Sequence, residues 1–152
     1  MRLLIQNVIT ANVKIDNKIV GQISRGFCVF VGFTIGDTID VVKKMADKLV
    51  SLRLFNDENG KTNLSLDDIN GSILSVSQFT LYGDISHGRR PSFINALKGD
   101  ESIKLYDYFN NYLRSLGYKI ETGVFGADMK VNIINDGPFT IFIDSKDIIK
   151  WK

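Results

Sequence analysis

The stretch Ile134-Asn135-Asp136-Gly137-Pro138-Phe139-Thr140-Ile141-Phe142-Ile143 decides how this chain is read. Its second half, Phe139 to Ile143, is a β-branched and aromatic run that predicts a strand. A Gly-Pro pair stands at the start of that run. Proline cannot donate to a ladder, so it belongs at a strand's first position or on an edge. Glycine lets the backbone come close to another group. Gly137-Pro138 therefore presents backbone carbonyls with no side chain in front of them. Such a surface can test the direction in which a small ligand carries its substituent. The plainer reading is a simple strand-entry turn.

Working outward, Ser72 to Gln78 predicts a buried strand. It runs into Ser77-Gln78-Phe79-Thr80-Leu81, which offers hydroxyls, an amide and backbone N–H groups. Phe27 to Thr34 is a continuous apolar run expected to be a central strand. Residues 2–9, 13–15 and 18–23 are shorter strand-like runs, with Asp16-Asn17 as a hairpin turn. Asp37 or Thr38 can cap a helix running to about Phe55, with Val41, Val42, Met45, Leu49 and Leu52 on one face. Residues 56–61 are turn-rich, and 82–92 form a polar loop. Asp100-Glu101-Ser102 opens a second helix that ends near Gly117, a C′ glycine. Strands are expected at 118–124, 129–134 and 139–143. Together these predict one α+β domain over residues 1–152, with a mainly antiparallel, barrel-like sheet and two principal helices.

A chain of 152 residues buries about 70% of the surface its unfolded form would expose, enough for a real core. Apolar content of 44% and charged content of 24% are typical of a soluble globular protein. No apolar run reaches the ~18 residues of a membrane span. Met1-Arg2-Leu3-Leu4-Ile5-Gln6 turns polar too soon for a signal peptide and reads as a first strand. One cysteine rules out an internal disulfide and fits a reducing cytoplasm. Net charge is only +2, which argues against non-specific duplex binding but permits a local basic patch. Candidates are Arg89-Arg90, Lys43-Lys44 and the tail Lys146, Lys150, Lys152; each can equally be a solvated face.

The residues that are scarce narrow the chemistry. His87 is the only histidine, so any Ser-His-Asp or Cys-His site would have to use it. It lies in a loop, where solvent exposure is the simpler reading. Cys28 sits in an apolar run and reads as a buried thiol. Asp67-Asp68 and Asp100-Glu101 read as caps at turn or helix starts. Gly32-x3-Gly36 lacks the Lys-Ser/Thr of a P-loop. No metal and no organic cofactor is expected. What remains is Ser77, Gln78, Phe79 and Thr80. Strand alternation can make Gln78 and Thr80 ordinary solvent-facing residues. Alternatively they share one wall of a pocket whose N–H groups bind an oxyanion.

SQFTL at 77–81, GRRPSF at 88–93, FGADM at 125–129 and NDGPFT at 135–140 resemble, in order and spacing, the D-aminoacyl-tRNA deacylase family. The resemblance runs over essentially the whole chain. It implies hydrolysis of D-aminoacyl-tRNA, and of glycyl-tRNA, in a cytoplasmic homodimer, with no membrane or DNA partner. It implies that Gln78 and Thr80 serve catalysis, and that Ser77, Phe79, Phe125 and Met129 bind the substrate. Phe125 and Met129 match positions near the terminal adenosine and the amino group; by themselves both can be core. The resemblance further implies a cis Gly137-Pro138 bond, inserted into the partner's pocket to reject L-amino acids. The alternative is a non-enzymatic nucleic-acid-binding module using the basic loop, where Arg89-Arg90 either reaches phosphates or holds the loop in place. The chain departs from the family at Gln6-Asn7-Val8, where an arginine is usual at the middle position and helps orient the Gly-Pro pair.

Overall fold

Asp16 and Asn17 have φ of 49° and 64°, the left-handed geometry that a two-residue hairpin needs. There β1 (Arg2–Ile15) turns back into β2 (Lys18–Ile23). Next come β3 (Gly26–Gly32), α1 (Ile39–Ser51) and a small hairpin of β4 (Phe55–Asn56) and β5 (Thr62–Leu64). They are followed by β6 (Ser72–Ser77), a 3₁₀ turn (Phe79–Tyr82), α2 (Gly99–Ser115) and β7 (Ile120–Thr122). The chain then forms β8 (Lys130–Asp144) and the short α3 (Ser145–Ile148). This computed structural model describes residues 1–149; Lys150 and Lys152 of the expected basic tail lie outside them.

The sheet order is β2-β1-β3-β6-β7, with β8 along the other edge of β1. β2 also lies against β7, which nearly closes the sheet into a barrel. The pairings of β1 with β2, β3 and β8 are antiparallel, as expected. The pairings of β6 with β3 and β7 are parallel, so the sheet is mixed.

Why β3 reads as an unbroken apolar run is now plain. Phe27, Val29 and Val31 face the helices, while Cys28 faces a second cluster with Val8, Ala11, Val13, Ile23, Leu74 and Val76. A strand covered on both faces carries no polar alternation. Each such large side chain contributes about 1.5–3 kcal/mol by leaving water. α1 is capped by Thr38, whose hydroxyl accepts from the Val41 amide at 3.3 Å. It buries Val41, Val42, Met45 and Leu49. α2 ends ahead of Gly117, which has φ of 95°.

Two expected gaps are absent. Residues 2–15 form one strand, because the register shifts on either side of Val8 turn its buried face from the helices to the barrel interior. Residues 130–144 likewise form one strand, interrupted by an excursion. Gln6 pairs with Thr140 and Val8 with Asn135. The intervening Asp136-Gly137-Pro138-Phe139 therefore has no partners on β1 and bulges outward.

Candidate active site

β6 does not continue through Gln78. It stops at Ser77, Gln78 breaks from it at φ −145° and ψ 85°, and Phe79–Tyr82 wind into the 3₁₀ turn. Strand alternation therefore does not govern this stretch. The turn instead brings Gln78 and Thr80 to the same side, where Gln78 Nε2 donates to Thr80 Oγ1 at 2.6 Å. The turn is tied down from behind. Arg2 Nη1 donates to the Leu81 carbonyl at 2.7 Å, and Arg2 Nε to Asp144 Oδ2 at 2.8 Å. The Arg2 guanidinium also lies 4.3 Å from the Tyr82 ring centroid. Burial tends to raise the Asp144 pKa, but the bonds from Arg2 and the Lys146 amide prevail and hold it below the usual carboxylate value.

In front of this turn lies a cavity of about 680 Å³. Ser77, Gln78, Phe79, Phe125 and Met129 all line it. Thr80 does not; it stands exposed at the rim, held by its bond to Gln78. The opposite wall is Phe93, Ala96, Leu97 and Lys98, of which only Phe93 lies in a motif noted in the sequence. Phe93 meets the Phe79 ring edge-on at 5.0 Å. The wall hangs from the residue just after β3, since the Leu97 amide donates to the Phe33 carbonyl at 3.0 Å. Lys98 is the single charged residue of the lining. It was missed because an isolated lysine before a helix carries no sequence signal. Phe125 packs at 5.8 Å on Tyr106, whose hydroxyl donates to the Ser75 carbonyl at 2.7 Å.

The scarce residues lie elsewhere. His87 is exposed, with Nδ1 2.8 Å from Ser86 Oγ. Cys28 is fully buried in the barrel interior, and burial pushes its thiol pKa up to about 12. Neither lines the cavity. Arg89 and Arg90 are exposed in the loop. Lys44 pairs with Asp40 one helical turn away at 2.8 Å, and Lys43 lies over the Tyr112 ring. Asp100 and Glu101 occupy the first turn of α2, while Asp68 caps a turn by accepting from the Ser65 amide at 2.8 Å.

Gly137 and Pro138 are likewise outside this protomer's cavity. They stand exposed at the tip of the β8 excursion, joined by a cis peptide bond. The Asn7 side chain does not approach them. It is buried, and its Nδ2 donates to the Leu54 carbonyl at 2.6 Å.

The family model for D-Tyr-tRNA(Tyr) deacylase matches residues 4–144. A D-aminoacyl-tRNA deacylase of Clostridium perfringens is 56% identical over 146 residues, covering 96% of this chain and 98% of that protein. Its counterpart in Listeria innocua is 49% identical over 150 residues, covering 99% and 100%. Among solved structures, the c-Myc DNA unwinding element binding protein superposes with a TM-score of 0.89 at 37% identity, covering 95% of this chain and 98% of its own. A probable eukaryotic D-amino acid tRNA deacylase shares the fold, with a TM-score of 0.83 at 21% identity, covering 93% and 97%. The matched residues include the turn at 77–82, the cavity walls and the excursion alike, and the chain belongs to the D-Tyr-tRNA(Tyr) deacylase family.

Proposed function

We propose that this chain hydrolyses the ester joining a D-amino acid to the 3′-terminal adenosine of tRNA, and that it also cleaves glycyl esters. The observation that carries this reading is a cavity with neutral hydrogen-bonding groups along one wall and, apart from Lys98 on the other, no ionisable side chain among its described lining residues. An aminoacyl ester is already activated. The neighbouring 2′-hydroxyl of the RNA can position or activate water, so the protein need only orient the ester and stabilise charge. Water adds to the acyl carbon, the bond to the 3′-oxygen breaks, and that oxygen leaves with a proton.

In this scheme Gln78 and Thr80 orient the reacting ester. The amides of Phe79 and Thr80 open the 3₁₀ turn, where the first donors lack partners within the turn, and they face the developing oxyanion. Ser77, Phe79 and Met129 contact the aminoacyl group. Phe125 supports the adenine, and Lys98 neutralises an RNA phosphate. Thr80 acts through positioning, because a hydroxyl with no adjacent base is a poor nucleophile. Gly137 and Pro138 of one protomer enter the partner's cavity, where their carbonyls exclude an L side chain. This is rejection rather than recognition, which is why glycine passes. A C₂ dimer follows, since a self-complementary patch closes at two subunits. Ile134 and Phe142 flank the excursion and are 55% and 52% exposed, apolar surface that such a partner would cover. The working compartment is the cytoplasm, where charged tRNA is found. Among the described residues no helix is long and apolar enough to cross a membrane.

The test is incubation with D-, L- and glycyl-tRNA, with free amino acid as the readout. D and glycyl esters are expected to be cleaved and L esters spared. Replacing the terminal adenosine by its 2′-deoxy form is expected to abolish most turnover; full activity on it would reopen Thr80 as a nucleophile. A fully active monomer in sedimentation would remove the cross-subunit selector. The second reading, a nucleic-acid-binding module without turnover, draws on the DNA-binding name of the 37%-identical solved relative. Binding without release of amino acid would favour it.

A further inference from the structure

The excursion at Asp136–Phe139 is a four-residue bulge whose first three residues are exposed, yet its work as a selector requires a fixed backbone. Its flanks show how it is held. Asn135 Oδ1 accepts from the Phe139 amide at 2.8 Å, closing the mouth of the bulge across its base. Asn135 Nδ2 donates to Thr140 Oγ1 at 3.0 Å. Gln6 Nε2, from the neighbouring strand, donates to the same Thr140 oxygen at 3.3 Å. Asn7 lies opposite the bulge in the ladder but turns its side chain inward to the Leu54 carbonyl.

We infer that Asn135, Thr140 and Gln6 form a side-chain clamp that fixes the position of the Gly137-Pro138 carbonyls and so sets how strictly L-aminoacyl esters are refused. These are positioning residues; the inference rests on the chiral-selector reading above. Its logic is geometric. Excluding an L side chain depends on where two backbone oxygens stand, and the bulge has no ladder bonds of its own to keep them there. The Asn135 amide replaces the missing ladder. Its oxygen takes one backbone donor of the bulge, and its nitrogen ties that arrangement to Thr140, a residue still in register with β1. The clamp variants loosen these carbonyls without adding an atom beside them, unlike a side chain placed at Gly137, so Gln78, Thr80 and the RNA can still turn over a D ester.

The experiment compares Asn135→Ala, Thr140→Val and Thr140→Ser in the full chain, measuring kcat/KM on matched D- and L-aminoacyl-tRNA. Each lost hydrogen bond is worth a factor of about 5–10. For Asn135→Ala and Thr140→Val the D-to-L ratio is expected to fall about tenfold through a rise in the L rate. Thr140→Ser keeps the hydroxyl and should restore the native ratio. In Asn135→Ala the Phe139 amide should also exchange with solvent faster, a readout independent of activity. An unchanged D-to-L ratio in both variants, or equal losses on both substrates with a lowered melting temperature, would overturn the clamp. A native chain that cleaves D and L esters equally would instead overturn the selector reading itself, whatever the Phe139 exchange rate.

Discussion

The turn at 77–82 and the excursion at 136–139 are both short breaks in long strands, and they are held by opposite means. The turn is anchored from inside. Arg2 grips the Leu81 carbonyl, and Tyr82 is buried beneath the Arg2 guanidinium. The excursion faces solvent and depends on neutral bonds between partly exposed side chains. Such bonds are individually weak. Under the proposed function the two breaks divide the labour, with chemistry on the anchored inner wall and discrimination on the outer excursion.

The sharpest way to break this comparison is Gly137→Ala. Gly137 has φ of 140°, and an added Cβ would lie 2.9 Å from the Phe139 nitrogen. The backbone must shift, which should displace both carbonyls. We expect D-aminoacyl hydrolysis to fall about a hundredfold without efficient L activity appearing, measured as kcat/KM. Retention of native D turnover would show that the excursion does not reach a working site.

Gln78→Ala tests the inner wall. Thr80 Oγ1 loses its 2.6 Å partner. We expect kcat to fall about tenfold, the scale of one positioning hydrogen bond, with melting temperature nearly unchanged because Gln78 is half-buried. An unchanged rate would remove Gln78 from the site.

Arg2→Ala tests the anchor itself. It releases the Leu81 carbonyl and leaves Asp144 without its guanidinium, and a loss of about 1–3 kcal/mol in unfolding free energy is expected. The pH dependence has a definite sign. Asp144 is held below its unfolded value, so its contribution is present above about pH 4 and is lost as pH falls through the lower folded value. The variant should show a flatter acid limb in denaturation experiments; an identical limb would dissociate Asp144 from the anchor. The smallest effect is expected for His87→Ala, which should change turnover less than about twofold, in keeping with an exposed residue bonded to Ser86.

Much of the frame was legible in the residues. Asp16-Asn17 carry the hairpin, Thr38 caps the first helix and Gly117 follows the second. Each is a local signal with a local cause. What escaped was set by tertiary context. Val8 turns inward where alternation from Leu3 and Ile5 would put it on the other face, so residues 2–15 looked like two strands. The change from strand to 3₁₀ turn at Gln78 has no Gly or Pro to announce it. The parallel pairing of β3 with β6 is a matter of topology. At the site, Ser77, Gln78, Phe79, Phe125 and Met129, each inside a motif quoted from the sequence, line one cavity, whereas Lys98 and the approach of Gln6 to Thr140 emerge only when sequence-distant elements come together.

The longest pairing in the molecule joins β1 to β8, from Arg2 with Asp144 to Lys14 with Lys130. The first strand must therefore wait for more than a hundred residues before its outer edge is covered. An uncovered edge is a template for pairing with other chains, and pairings so distant in sequence form slowly. Removing β8 should leave no smaller folded unit, only a sheet with a bare edge. Newly made chains are thus most vulnerable to aggregation in the interval before the strand that carries Gly137 and Pro138 closes the sheet.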